Sequence, residues 1–94
     1  MEELNIVIIG LGAMGKRRAR IVRRLYPGFH VAGIDMQEER RKAFAEEFSV
    51  LVFASLAEVL AKMPLDAAII STLPLSHGDI AHECLSAGLV SMVM

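Results

Sequence analysis

The chain has 94 residues, of which 54% are hydrophobic and 22% charged, enough for one small globular domain. Its net charge of −1 offers no general attraction to nucleic acid or to an anionic membrane. No apolar run reaches the ~18 residues of a membrane span, no basic segment followed by an apolar core marks a secretory leader, and Cys84 alone rules out an intrachain disulfide. A reducing, cytoplasmic setting is the expectation.

The chain opens on an apolar strand, residues 4–9, that breaks into Gly10-Leu11-Gly12-Ala13-Met14-Gly15. A helix is expected over residues 13–26, with Met14, Ile21, Val22 and Leu25 as its apolar stripe and Pro27-Gly28 as its stop. A second strand over residues 30–35 ends in Asp35, twenty positions after Gly15. Strand, glycine turn, helix, second strand and terminal acid at this spacing form a dinucleotide-binding pattern. Gly10 permits a sharp turn, Gly12 lets a pyrophosphate approach the backbone, and Gly15 lets the helix pack on the strand. The helix start presents unpaired N–H groups to the phosphates. Asp35 is placed to accept hydrogen bonds from the adenosine ribose and to repel a 2′-phosphate, which favours NAD over NADP.

A second helix is expected over residues 38–48, with Ala43, Phe44 and Phe48 on one side, then a short strand over residues 50–53. Ser55-Leu56-Ala57-Glu58 reads as a capping box opening a third helix that ends near Met63-Pro64. A fourth strand, buried on both faces by its composition, is expected over residues 67–71, and Thr72-Leu73-Pro74-Leu75 forms a loop. Ser76 caps a fourth helix that runs to Ala87 and stops at Gly88, before a fifth strand over residues 89–94. Alternating strands and helices predict an α/β fold: a Rossmann-like, doubly wound parallel sheet in the order 3-2-1-4-5 with helices on both faces. Its crevice lies at the carboxyl ends of strands one and four, where the glycine turn, Asp35 and Ser71 to Pro74 all fall. His77 opens the fourth helix beside that crevice.

At Ile70-Ser71-Thr72-Leu73-Pro74-Leu75-Ser76-His77 the chain resembles the N-terminal half of the glucose–fructose oxidoreductase, inositol dehydrogenase and rhizopine-catabolism family (Gfo/Idh/MocA). That family reads G-x-G-x-M-G, then a strand ending in Asp, then an Asp-initiated apolar strand leading to T-P-x-x-x-H and a helix ending in A-G-K-H-V. The matches here are Gly10 to Gly15 with Met14, Asp35, Asp66 to Thr72, His77 and Ala87-Gly88, and they cover essentially the whole chain. The resemblance implies that 1–94 is the cofactor half of an NAD(P)-dependent oxidoreductase acting on a sugar, polyol or related alcohol. It implies cofactor contacts at Gly10, Leu11, Gly12, Ala13, Met14, Gly15, Asp35, Ser71, Thr72, Leu73, Pro74 and His77. The chain departs from the family pattern in three ways. Pro74 sits one place late, Arg18 stands where the family has His, and the last strand lacks its basic residue. The resemblance implies that the chain stops where the family has Glu-Lys-Pro, whose lysine in the family serves substrate binding and proton transfer, and that the family's substrate domain is absent. The 94 residues alone are therefore expected to be inactive. The alternative reading is a stand-alone or regulatory module that senses a nucleotide, as in potassium-transport regulatory domains.

The remaining polar clusters have duller readings. Lys16, Arg17, Arg18, Arg20, Arg23 and Arg24 are read as a solvated helix face and not as a nucleic-acid surface. Arg40 and Arg41 stand where arginines hold a 2′-phosphate, but beside Asp35 they are expected on the helix surface, paired with Glu38 and Glu39. His77 and His82, five apart, do not share a helix face, so no metal site is expected. Cys84 is read as a small buried apolar residue. The apolar fifth strand should form an exposed edge and drive self-association.

Overall fold

Runs of β-branched residues separated by helical segments produce the expected layers. The computed structural model describes residues 3–71, 80, 82–84, 88 and 90–93. In chain order it has β1 (Asn5–Ile9), α1 (Ala13–Leu25), β2 (His30–Ile34), α2 (Glu38–Phe48), β3 (Val52–Phe53), α3 (Leu56–Lys62), β4 (Ala67–Ile70) and β5 (Val90–Val93). The five strands form one sheet in the order β3-β2-β1-β4-β5, and every pairing is parallel. Residues 80 and 82–84 are helical, and Gly88 lies in a turn at φ +78°. No helix among the described residues is long and apolar enough to cross a membrane.

The sheet alternates its side chains between two apolar layers, as pleating requires. On one face Ile6, Ile8, Val31 and Ile69 pack with Ala19 and Val22 of α1 and with Phe44 and Phe48 of α2. On the other, Val7, Ile9, Ala32, Ile34, Ala68 and Ile70 pack with Leu56 and Val59 of α3 and with Cys84. Burial, and then the neighbouring Glu83 charge, push the Cys84 thiol above its ordinary range and keep it neutral. Ser55 caps α3 by accepting from Glu58 N–H at 3.3 Å. The Glu58 carboxylate reaches back to Ala54 N–H at 3.0 Å, one residue before the position a reciprocal box uses.

Two expectations need correction. The face of α1 that meets the sheet is Gly15, Ala19 and Val22. Met14, Ile21 and Leu25 are 47%, 40% and 57% exposed, so of the expected stripe only Val22 is buried. Small residues face inward because the helix runs close over β1, and bulkier side chains at those positions would hold it off. The third strand is two residues long where four were expected. Ser49 closes α2 in the left-handed conformation, φ 54°; the Leu51 carbonyl accepts the Gly33 N–H at 3.1 Å, and regular pairing begins at Val52, opposite Gly33. The other element ends that fall among the described residues move by a residue or so. Thr72 to Leu75, Ser76 and His77, expected to form the loop and the start of the fourth helix, lie outside the described residues.

The close approach of α1 gives a direct test. A methyl group on Gly15 would sit 1.9 Å from the Gly10 carbonyl oxygen, a backbone atom that cannot step aside. Gly15→Ala should therefore cost about 1–3 kcal/mol or more in urea denaturation, as overpacking against a fixed wall does. Gly28→Ala, whose added carbon meets only the flexible Glu3 side chain at 3.7 Å, should stay within about 0.5 kcal/mol of the parent.

Candidate dinucleotide site

Register brings the site together. Ile9 of β1 is level with Ile34 of β2 and with Ile70 of β4. The residues that follow, Gly10, Asp35 and Ser71, therefore leave the sheet side by side at its carboxyl edge. Backbone bonds carry the ladder one step further: Gly10 N–H donates to Ile34 O at 2.8 Å and Ser71 N–H to Ile9 O at 2.8 Å. Gly10 then turns at φ 96°, a conformation that a side chain disfavours.

The turn is held by Asp35, which is buried, with 9% of its surface exposed. Its Oδ2 accepts the Leu11 N–H at 2.9 Å and its Oδ1 accepts the Gln37 N–H at 2.8 Å. The Leu11 side chain, fully buried, drops into the notch above Gly33, where a Cβ would meet both Leu11 methyl carbons and Phe44 at 3.0 Å. In the sequence pattern Asp35 points only to the ribose and Leu11 only to the cofactor. Their backbone and packing roles are not visible there, because hydrogen bonds to main-chain N–H groups leave no residue-type signature. The Leu11 N–H is already taken by Asp35, so what the turn offers a phosphate begins at Gly12.

There the helix start is bare. α1 begins after Gly12 with no side-chain cap and no acid in its first turn. By contrast, α2 opens with Glu38 and Glu39 and α3 has Ser55 and Glu58. The first N–H groups of a helix have no intrahelical partner, and its N-terminus carries positive potential. A cleft of about 400 Å³ opens in front of it, lined by Leu11, Gly12, Ala13, Lys16, Arg20, Glu39, Arg40 and Ala43. At Gly12 a Cβ would touch only the Arg40 guanidinium, at 3.6 Å, so the missing side chain leaves room facing the cleft.

The cations around the cleft have different partners. Glu47 pairs with Lys16 at 3.7 Å and with Arg20 at 2.8 Å. Arg41 Nη1 donates to the carbonyls of Asp35 at 2.8 Å and Met36 at 3.0 Å and so fastens the end of β2 to α2. Arg40 Nη1 lies 3.8 Å from Asp35 Oδ2. The expectation that Arg40 and Arg41 pair with Glu38 and Glu39 on the helix surface is therefore corrected. Glu38 pairs with Lys42 one turn on, and both arginines turn back to the strand end. Ser71 Oγ is buried and finds no hydrogen-bond partner among the described residues. Thr72, Leu73, Pro74 and His77 lie outside those residues. No group of three or more metal-binding side chains occurs among the described residues.

A parallel sheet in the order 3-2-1-4-5, with a glycine turn and an uncapped helix start at the switch point and an acid ending β2, defines a Rossmann dinucleotide-binding domain. Over residues 4–94 the sequence matches the Gfo/Idh/MocA family model, described as an oxidoreductase family with an NAD-binding Rossmann fold, and the chain belongs to that family. It is 34% identical over 86 residues to an inositol 2-dehydrogenase of Renibacterium salmoninarum, an alignment covering 87% of this chain and 25% of that protein. Among solved structures it is similar to GenD2 from gentamicin A biosynthesis, crystallised in complex with NAD, with a TM-score of 0.90, 26% identity and coverage of 99% of this chain and 27% of that one. It is similar also to an NAD-binding protein from Listeria innocua, with a TM-score of 0.85, 28% identity and coverage of 98% and 27%. The chain thus spans about a quarter of the length of these relatives.

The Asp35 bonds predict a stability effect separate from any ligand. Asp35→Ala leaves the buried Leu11 N–H and the half-buried Gln37 N–H without their acceptor and should destabilise the ligand-free protein by about 1–3 kcal/mol. Asp35→Asn, which keeps one acceptor oxygen, should lose less. Urea unfolding of both variants measures the difference.

Proposed function

We propose that this chain is the NAD(H)-binding part of a dehydrogenase whose substrate is a sugar, a polyol or a related alcohol. The observation that carries the reading is the bare start of α1, aimed at a cleft and lying beside the buried Asp35 carboxylate. The N–H groups of Gly12, Ala13 and Met14 would receive the pyrophosphate, and the absence of a Gly12 side chain gives it room. Each oxygen of Asp35 accepts one N–H, and a carboxylate oxygen has room for a second donor, so the ribose hydroxyls would bond there. Ser71, level with Gly10, would face the nicotinamide half of the cofactor, with Thr72, Leu73, Pro74 and His77 following in the chain. When bound, NAD would supply hydride transfer, while these residues hold and orient it.

The substrate class rests on family membership and on the inositol 2-dehydrogenase relative. The chain by itself holds no assigned catalytic group, and no turnover of sugars or polyols is expected from it. β5 pairs only with β4 among the described strands, and we infer that this edge drives self-association. Sedimentation at micromolar concentration should find dimers or larger species, and a monodisperse monomer would refute the inference.

Calorimetric titration should show NADH binding to the 94-residue chain. Gly12→Val tests the turn directly. Its Cβ would meet only the half-exposed Arg40 guanidinium, at 3.6 Å, so the variant should fold with a normal circular dichroism spectrum, yet lose at least tenfold in NADH affinity. Normal NADH affinity in the folded variant would contradict a phosphate site at this turn.

A further inference from the structure

We infer that the outer row of α1 is a docking face for an acid-bearing helix from another part of the same protein, a reading independent of the dinucleotide site. Successive helical residues advance about 100° around the axis, so α1 divides into three sides. Gly15, Ala19 and Val22 face the sheet. Lys16, Arg20 and Arg23 face α2, where Glu47 and the Phe48 carbonyl engage them. Met14, Arg18, Ile21 and Leu25 fall in one row on the third side, at helical spacing. Since α2 lies beside α1 in the direction of β3, this row looks the other way, over β4. No helix among the described residues stands beside it there: α3, Ile80 and Cys84 pack on the opposite face of the sheet.

The row combines exposed apolar groups with one sealed cation. Met14, Ile21 and Leu25 are all exposed, an apolar strip of the kind that marks a contact surface. Arg18 sits among them, half-buried, with its Nε shut off from water and without a hydrogen-bond partner among the described residues. A buried donor left unmet is costly, and a carboxylate is the acceptor that best matches the planar guanidinium fork. Arg17 and Arg24 flank the row, and neither takes part in the ion pairs formed among the described residues. Charge then selects the occupant. α1 contains no Asp or Glu, so two copies meeting row to row would bring together three arginines from each with nothing on either helix to offset them. A helix with an apolar stripe and carboxylates complements both the strip and the arginines. The chain spans about a quarter of the length of its matched relatives, and the helix is assigned to the part of the protein outside these 94 residues.

Thiol labelling, read by mass spectrometry, tests the inference. Ile21→Cys places a reactive thiol in the row, and the buried Cys84 is the folding control, because it reacts only if the protein opens. Where Ile21→Cys exposes Cys84, Leu25→Cys takes its place. The variant is made in the 94-residue chain and in the protein extended through its own coding sequence to the length of its relatives. Labelling in the row should be at least tenfold slower in the extended protein, whatever the protein concentration. Adding Arg18→Gln should speed it at least threefold there, with Cys84 still protected, and change it less than twofold in the 94-residue chain. Arg18→Lys, which keeps the charge, should retain most of the protection. Equal rates in the two lengths, or a coding sequence that stops at Met94, overturns the inference. Protection that grows with concentration in the 94-residue chain names a second copy as the occupant and overturns it too. Protection unmoved by Arg18→Gln overturns the carboxylate partner.

Discussion

One buried carboxylate holds the site in shape. Asp35 accepts the Leu11 N–H with one oxygen and the Gln37 N–H with the other. The first bond ties the glycine turn to the end of β2, and the second sets the entry of α2. Charge-assisted bonds of this kind are about twice as strong as neutral ones. Leu11, pinned by its backbone, drops its side chain over Gly33 and against Phe44, so the polar lock and the apolar core hold the same residue. Arg41 closes the arrangement from the other side by binding the Asp35 and Met36 carbonyls.

With the turn fixed, the rest of the site follows from spacing and charge. The lack of a side chain at Gly15 lets α1 lie close over the Gly10 carbonyl at the end of β1. No acid or cap within the first turn of α1 offsets that positive end, whereas the described helices α2 and α3 each carry acids there. Three of the six basic residues on α1 are engaged within the fold. Lys16 and Arg20 pair with Glu47, and Arg23 donates to the Phe48 carbonyl and lies 5.5 Å over the Phe48 ring.

Much of this was legible in the sequence, for identifiable reasons. Parallel strands buried on both faces read as unbroken apolar runs, and the glycine spacing is demanded by sterics that act on residue type. Strand order and the gathering of Gly10, Asp35 and Ser71 follow from the right-handed crossover rule. Other features were hidden. The buried face of α1 is made of Gly15, Ala19 and Val22, which a search for large apolar residues passes over in favour of Met14, Ile21 and Leu25. Arg41 looked like surface because its partners are carbonyl oxygens, which every residue has. Asp35 was read from its place at a strand end, and its structural role showed only once the Leu11 and Gln37 amides were located.

The central claim is that the Asp35-locked turn and the bare start of α1 receive the dinucleotide. Amide chemical-shift mapping during an NADH titration of the 15N-labelled chain tests it most directly. The account predicts that the largest shifts fall on Gly12, Ala13 and Met14, with further shifts at Asp35 and Arg40. Shifts centred instead on the cleft around Phe29, His30 and Leu51, or no shifts at saturating NADH, would contradict it.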